Sequence, residues 1–177
     1  ALEKVIKENK SWSYLIKNKQ LCLGVVDLSN PETPKYAHIN GRHMMYAASL
    51  PKIAILLAVM DAVDQGKIEF NEEVDMLLHK MIRYSNNQAS TALIDLVGYE
   101  NIKATLEDDR FDLYDKDQYG GLWVGKRYAA GGRRFPEPIK GLSHAATVNQ
   151  VCRFYYMLAY GQLVNCDVSE QMMEYLV

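Results

Sequence analysis

Apolar positions along the chain follow two periods and one long exception. From Leu2 to Lys17 they recur at Val5, Ile6, Trp12, Leu15 and Ile16 among lysines, the spacing of an amphipathic helix lying on another layer. "LCLGVVDL", Leu21 to Leu28, is rich in apolar and β-branched residues and predicts a strand, and "NPETP" after it is turn chemistry. "YAHINGRHMMY", Tyr36 to Tyr46, predicts one long second strand, bent at Asn40-Gly41. The exception follows Leu50-Pro51, where a helix running to Gln65 is apolar on nearly every face and stops at Gly66. Further helices are predicted over 71–85, over 87–98 with a stop at Gly98, and over 99–109. Segment 110–146 holds glycine pairs, prolines and scattered aromatics and predicts a long loop. Thr147 and Gln150 have capping-box spacing and open a helix to Gly161, and a last helix is predicted over 169–177.

Two strands followed only by helices make an α+β chain with an unfinished sheet. An isolated two-stranded sheet is marginal in water, so either these strands lean on the helices or their partners lie elsewhere.

Composition narrows the field. The chain has 177 residues, 49% of them hydrophobic, enough for one domain with a real core. A net charge of -2 gives no electrostatic footprint for nucleic acid. No apolar run reaches the roughly 20 residues of a membrane span, and no secretory leader stands among these residues. The three cysteines, Cys22, Cys152 and Cys166, form no C-x-x-C pair and have no histidine at ligand spacing, so neither a metal site nor a cofactor is expected. Cys152 and Cys166 are either two thiols or a bridge formed in an oxidising compartment.

The candidate chemistry begins in the apolar helix, whose first turn contains Lys52, three residues after Ser49. A helix start favours developing negative charge, and a desolvated lysine becomes a base able to activate a weak hydroxyl nucleophile. The residues alone leave a second reading open, in which Ser49 caps the helix and Lys52 reaches to water. Ser85 and Asn87, in a turn between two helices, present a second hydroxyl and a carboxamide. Capping would explain those residue types as well.

Ser49-Leu50-Pro51-Lys52 followed by Ser85-Asn86-Asn87, within "MIRYSNNQASTAL", resembles the penicillin-recognising serine hydrolases. These are the class A β-lactamases and the low-molecular-weight penicillin-binding proteins, whose motif set is S-x-x-K, S-D-N and K-T-G. The order of elements along the chain resembles theirs too. The resemblance implies a β-lactamase/transpeptidase-like fold, with 1–48 supplying the N-terminal helix and sheet strands and 49–177 the helical part. It implies Ser49 as the acylated nucleophile, Lys52 as its proton acceptor, Ser85 as the proton shuttle to the leaving nitrogen and Asn87 as a substrate-amide contact. The Ser49 N–H would be half of an oxyanion hole. Asn86 stands where the class A motif has aspartate.

Two departures qualify the resemblance. No K-T-G, K-S-G or H-T-G occurs, so the chain reads as a single domain cut before its last strands, whether by truncation, by a nick or because a complementary C-terminal segment belongs to another chain. The E-x-x-L-N stretch carrying the class A deacylation base is also missing. Glu137, in "RFPEPIKG", is the candidate for that role, with a solvated loop carboxylate as the other reading. The implied substrate is a β-lactam or a peptide-like amide, and the implied address is periplasmic or secreted. Rival expectations are a penicillin-binding sensor or D-Ala-D-Ala peptidase-like relative that deacylates slowly, and an inactive fragment or pseudoenzyme.

Overall fold

The N-terminal helical stretch is two helices, α1 (Leu2–Lys7) and α2 (Lys10–Lys17), in the structure, a computed structural model that describes residues 2–30 and 32–177. Asn9 makes the break. Its Oδ1 accepts from the N–H groups of Ser11 and Trp12 at 3.1 and 3.2 Å, a cap that starts a new helix. β1 (Leu23–Asp27) and β2 (Lys35–Ile39) pair as an antiparallel hairpin with Leu23 opposite Ile39. Pro31, in the turn predicted between them, lies outside the described residues.

The single bent strand expected over 36–46 does not form. Asn40 takes a left-handed conformation at φ 53°, and its amide donates to Ile16 O and Leu21 O, turning the chain out of the hairpin. β3 (Met45–Tyr46) then joins a different sheet.

α3 (Lys52–Asp64), α4 (Glu72–Arg83), α5 (Asn87–Val97) and α6 (Tyr99–Glu107) follow as the apolar pattern predicts. α3 is buried from Lys52 to Ala62 and packs against α4, α5 and α6. That is why its sequence shows no polar face. Asp61, buried near its end, is held by a two-pronged ion pair from Arg110, at 2.9 and 3.2 Å.

Segment 110–146 carries four short strands where a long loop was expected. They are β4 (Tyr114–Asp115), β5 (Gly120–Gly121), β6 (Trp123–Val124) and β7 (His144–Ala146). β4 pairs with β5, while β3, β7 and β6 make a three-stranded antiparallel sheet with β7 buried in its centre. Strands of two or three residues carry too little periodicity to be seen in a sequence. Two helices close the chain. In α7 (Val148–Ala159) the Thr147 hydroxyl caps Gln150 N, and α8 (Cys166–Leu176) is capped by Asn165 and begins earlier than the 169 expected. All three cysteines are free, so the bridge between Cys152 and Cys166 does not form.

Candidate active site

The β3–β7–β6 sheet sets three chain segments side by side at one end. Met45 and Tyr46 pair with Ala146 and Ala145, and Trp123 and Val124 pair with Ala145 and His144. Beyond β3 the chain runs through Ala48 to Ser49 and Lys52. Beyond β6 it runs through Gly125 to Tyr128, and His144 opens β7. Gly125 is required there: an added Cβ would meet Phe135 O at 2.3 Å and Ser143 O at 2.7 Å.

Ser49 lies exposed in tight turns that wind into α3, with Lys52 N donating to Ser49 O at 3.1 Å. The helix cap falls on Pro51, with no side-chain capping bond, so Ser49 is not there to cap. Ala48, just before it, sits at φ 47°, a left-handed conformation that costs a non-glycine residue of order 1 kcal/mol or more.

The capping reading of the second motif also divides. Asn86 caps α5 through Oδ1, which accepts from Ala89 N at 2.8 Å, and so leaves its neighbours free for other work. Ser85 occupies the left-handed position after α4 at φ 49°, where glycine is usual. That twist aims both its carbonyl and its hydroxyl at Lys52.

Lys52 is 3% exposed yet makes no ion pair among the described residues. Its Nζ meets Ser85 O at 2.6 Å, Ser85 Oγ at 2.8 Å and Asn87 Oδ1 at 2.9 Å. Three acceptors match the three donors of an ammonium. The neutral amine fits the same triangle, with two N–H donors and a lone pair that accepts if the Ser85 hydroxyl turns to donate. Burial lowers the Lys52 pKa from its ordinary value, with no carboxylate alongside to restore it. This triangle is therefore built to accommodate both protonation states of one amine. Ser49 Oγ is not among its bonding partners here.

The structure thus brings Lys52, Ser85 and Asn87 into direct contact and places Ser49 one helical turn before Lys52. It leaves Glu137 occupied. That residue is 1% exposed, so it is no solvated loop carboxylate, and burial in its own loop is the physical reason. Oε1 accepts from Tyr114 OH at 2.6 Å and Ile139 N at 2.8 Å, and Oε2 accepts from Lys140 N at 2.7 Å. Trp123 pins the same loop, donating to Phe135 O at 2.8 Å.

Two neighbours of Lys52 carried no motif. The Tyr128 ring centroid lies 4.7 Å from Lys52 Nζ, and the His144 ring stacks on Tyr128 at 4.2 Å and 6°. His144 is buried, with neither ring nitrogen bonded. Burial first, then the charges of Lys126 and Lys52, push its pKa down to about 4, so it is neutral at ordinary pH. Among the described residues no cluster of histidine, cysteine or carboxylates has the form of a metal site, and no helix is long and apolar enough to cross a membrane.

Comparison with known proteins agrees on one group. A model of the beta-lactamase enzyme family matches residues 11–177. Among solved structures, a beta-lactamase from Sphaerobacter thermophilus superposes at a TM-score of 0.64 with 19% identity, over 88% of this chain and 62% of its own. A variant of the last common ancestor of Gram-negative bacteria class A beta-lactamase reaches 0.68 with 16% identity, over 94% of this chain and 68% of its own. The search of curated proteins found no match. At these identities the superpositions show a shared fold, and the chain spans only about two thirds of each structure's length.

Proposed function

The chain belongs to the beta-lactamase enzyme family, and from that premise we propose that it is a serine hydrolase that forms an acyl-enzyme on Ser49 with a β-lactam or a related amide. The observation that carries the proposal is the buried Lys52 amine, bonded to Ser85 Oγ at 2.8 Å and lowered in pKa by its burial. Ser49 Oγ attacks the amide carbonyl carbon, and its proton passes to the neutral Lys52 amine. The carbonyl π pair moves onto oxygen, where the Ser49 N–H, which donates to no other described group, stabilises it. Collapse breaks the C–N bond. The leaving nitrogen takes its proton from Ser85 Oγ, which is resupplied by Lys52. Asn87, exposed beside them, donates its amide N–H to the substrate carbonyl. Water then releases the acyl group.

A second reading, a penicillin-binding or peptidase-like relative that keeps its adduct, is favoured by Glu137. Both its oxygens are committed to Tyr114 and the loop backbone, which leaves it badly placed as a base for deacylation. The chain spans 62% of the length of the Sphaerobacter enzyme, and a complementary C-terminal segment is part of the proposal; a periplasmic or secreted address is proposed on the family alone.

The deciding experiment is intact mass against time after adding benzylpenicillin to the full-length gene product, with Ser49→Ala alongside. An adduct absent from the variant supports the proposal. If that adduct turns over, the protein is a hydrolase; if it persists, the second reading holds. No adduct and no consumption of benzylpenicillin by the wild type would sink both.

A further inference from the structure

We propose that Tyr128 is a positioning residue of this site, its ring seating the Lys52 side chain and its hydroxyl holding the carbonyl of the residue before the nucleophile. The inference rests on the reading of Ser49 and Lys52 as the acylating pair.

The Lys52 amine spends all its hydrogen bonds on Ser85 and Asn87, at the turn between α4 and α5. Those bonds alone would pull Nζ toward the α4–α5 turn. The Tyr128 ring, 4.7 Å from Nζ, is the other group that fixes where the amine sits. A ring face attracts an ammonium without accepting its proton, whereas a carboxylate in the same place would raise the pKa and keep the amine charged. An aromatic neighbour therefore locates the amine and leaves it free to act as a base.

The hydroxyl does a second job, donating to Ala48 O at 3.1 Å. Ala48 is the left-handed residue that sets the direction of the Ser49 turn. One side chain thus touches both the base and the backbone that aims the nucleophile. Tyr128 is itself held by its stack on His144. That imidazole is neutral because it is buried near Lys126 and Lys52, so it backs the ring without adding its own positive charge beside the amine. Gly125 fixes the loop's path toward the site.

The test is proton–carbon NMR of the protein carrying lysine labelled with carbon-13 at Cε, with the Lys52 signal assigned by its loss in Lys52→Arg. A methylene over a ring face resonates upfield of ordinary lysine. The wild type and Tyr128→Phe are expected to show Lys52 shifted upfield, and Tyr128→Leu to return it to the ordinary position. Acylation by benzylpenicillin should fall several-fold in Tyr128→Phe, which loses the bond to Ala48. In Tyr128→Leu, which loses both contacts, it should fall about ten- to a hundredfold. An ordinary Lys52 signal in the wild type overturns the ring's role whatever the variants do, so a Leu variant that fails to fold does not protect the proposal. An unchanged rate in Tyr128→Phe overturns the hydroxyl's role. Upfield Lys52 signals on a wild type that never acylates would leave the contact standing and remove the catalytic reading. Normal acylation with unshifted signals would do the reverse.

Discussion

A buried amine is kept at Lys52 where methionine would pack as well, and stability gives no reason for it. Desolvating the ammonium costs several kcal/mol, and no carboxylate among the described residues offsets it. Its acceptors belong to Ser85 and Asn87, both exposed, which water could serve instead. Lys52→Met is therefore expected to leave the melting temperature unchanged or raise it, while slowing acylation by about 10²–10⁴-fold. A destabilisation of more than about 2 kcal/mol would make Lys52 structural instead. His144 makes the complementary case. Its folded pKa of about 4 lies below the unfolded value of 6.5, so the unfolded chain binds the extra proton between them. Its contribution is full above pH 6.5 and is lost as pH falls toward 4, by up to about 3 kcal/mol. Denaturant melts of wild type and His144→Phe at pH 7 and pH 4 check this, and a stability gap that stays constant would refute it. The two histidine nitrogens and the Tyr128 ring could not be read from the sequence, because their role depends on β6 and β7 lying side by side. Ser49, Lys52, Ser85 and Asn87 were legible because each motif is local: a turn of helix in one case, a three-residue link in the other.

Elements divide along the same line. The helices α3 to α7 were legible, since each is long enough to show its period and carries a local stop or start: Gly66 at φ 68°, Gly98 at φ 80°, Asn71 and Thr147 at their caps. Strands β4 to β7 were not, and with them went the environment of Glu137. A carboxylate between two prolines looks solvated until Tyr114 of β4 and its own loop close over it. Glu137→Gln separates its two roles. The carboxylate meets three donors, Tyr114 OH and the N–H groups of Ile139 and Lys140, and an amide must turn its NH₂ toward at least one of them. A loop staple therefore loses about 1–3 kcal/mol in a thermal melt, with the lifetime of the Ser49 adduct unaltered once the protein is folded. A deacylation base would give the opposite pattern, a longer-lived adduct with stability retained.

At the scale of the molecule, burial is uneven. α3 has no exposed face along most of its length, while the β1–β2 hairpin leaves Val25 55% exposed and Leu28, just beyond β1, 43% exposed. One side of the hairpin is closely packed, since an added Cβ at Gly24 would meet Val148 Cγ1 at 2.4 Å and Cys152 Sγ at 2.8 Å. The other keeps Val25 exposed, although α1 also packs against β2 and buries Ile6. A cleft of about 460 Å³ opens beside it, lined by Leu21, Leu23, Tyr46, Leu50 and Val151. A two-stranded sheet with only partial cover opens easily. In residues 1–177 as an isolated chain, amides of β1 and β2 should exchange with solvent at least about a hundredfold faster than those of α3. If the proposed C-terminal segment packs on the hairpin, that gap should narrow in the full-length gene product. Equal protection of hairpin and helix in the isolated chain would mean that α7 and α1 are cover enough. The apolar edge would then be a surface of the finished protein, and a complementary segment would lose its strongest physical argument.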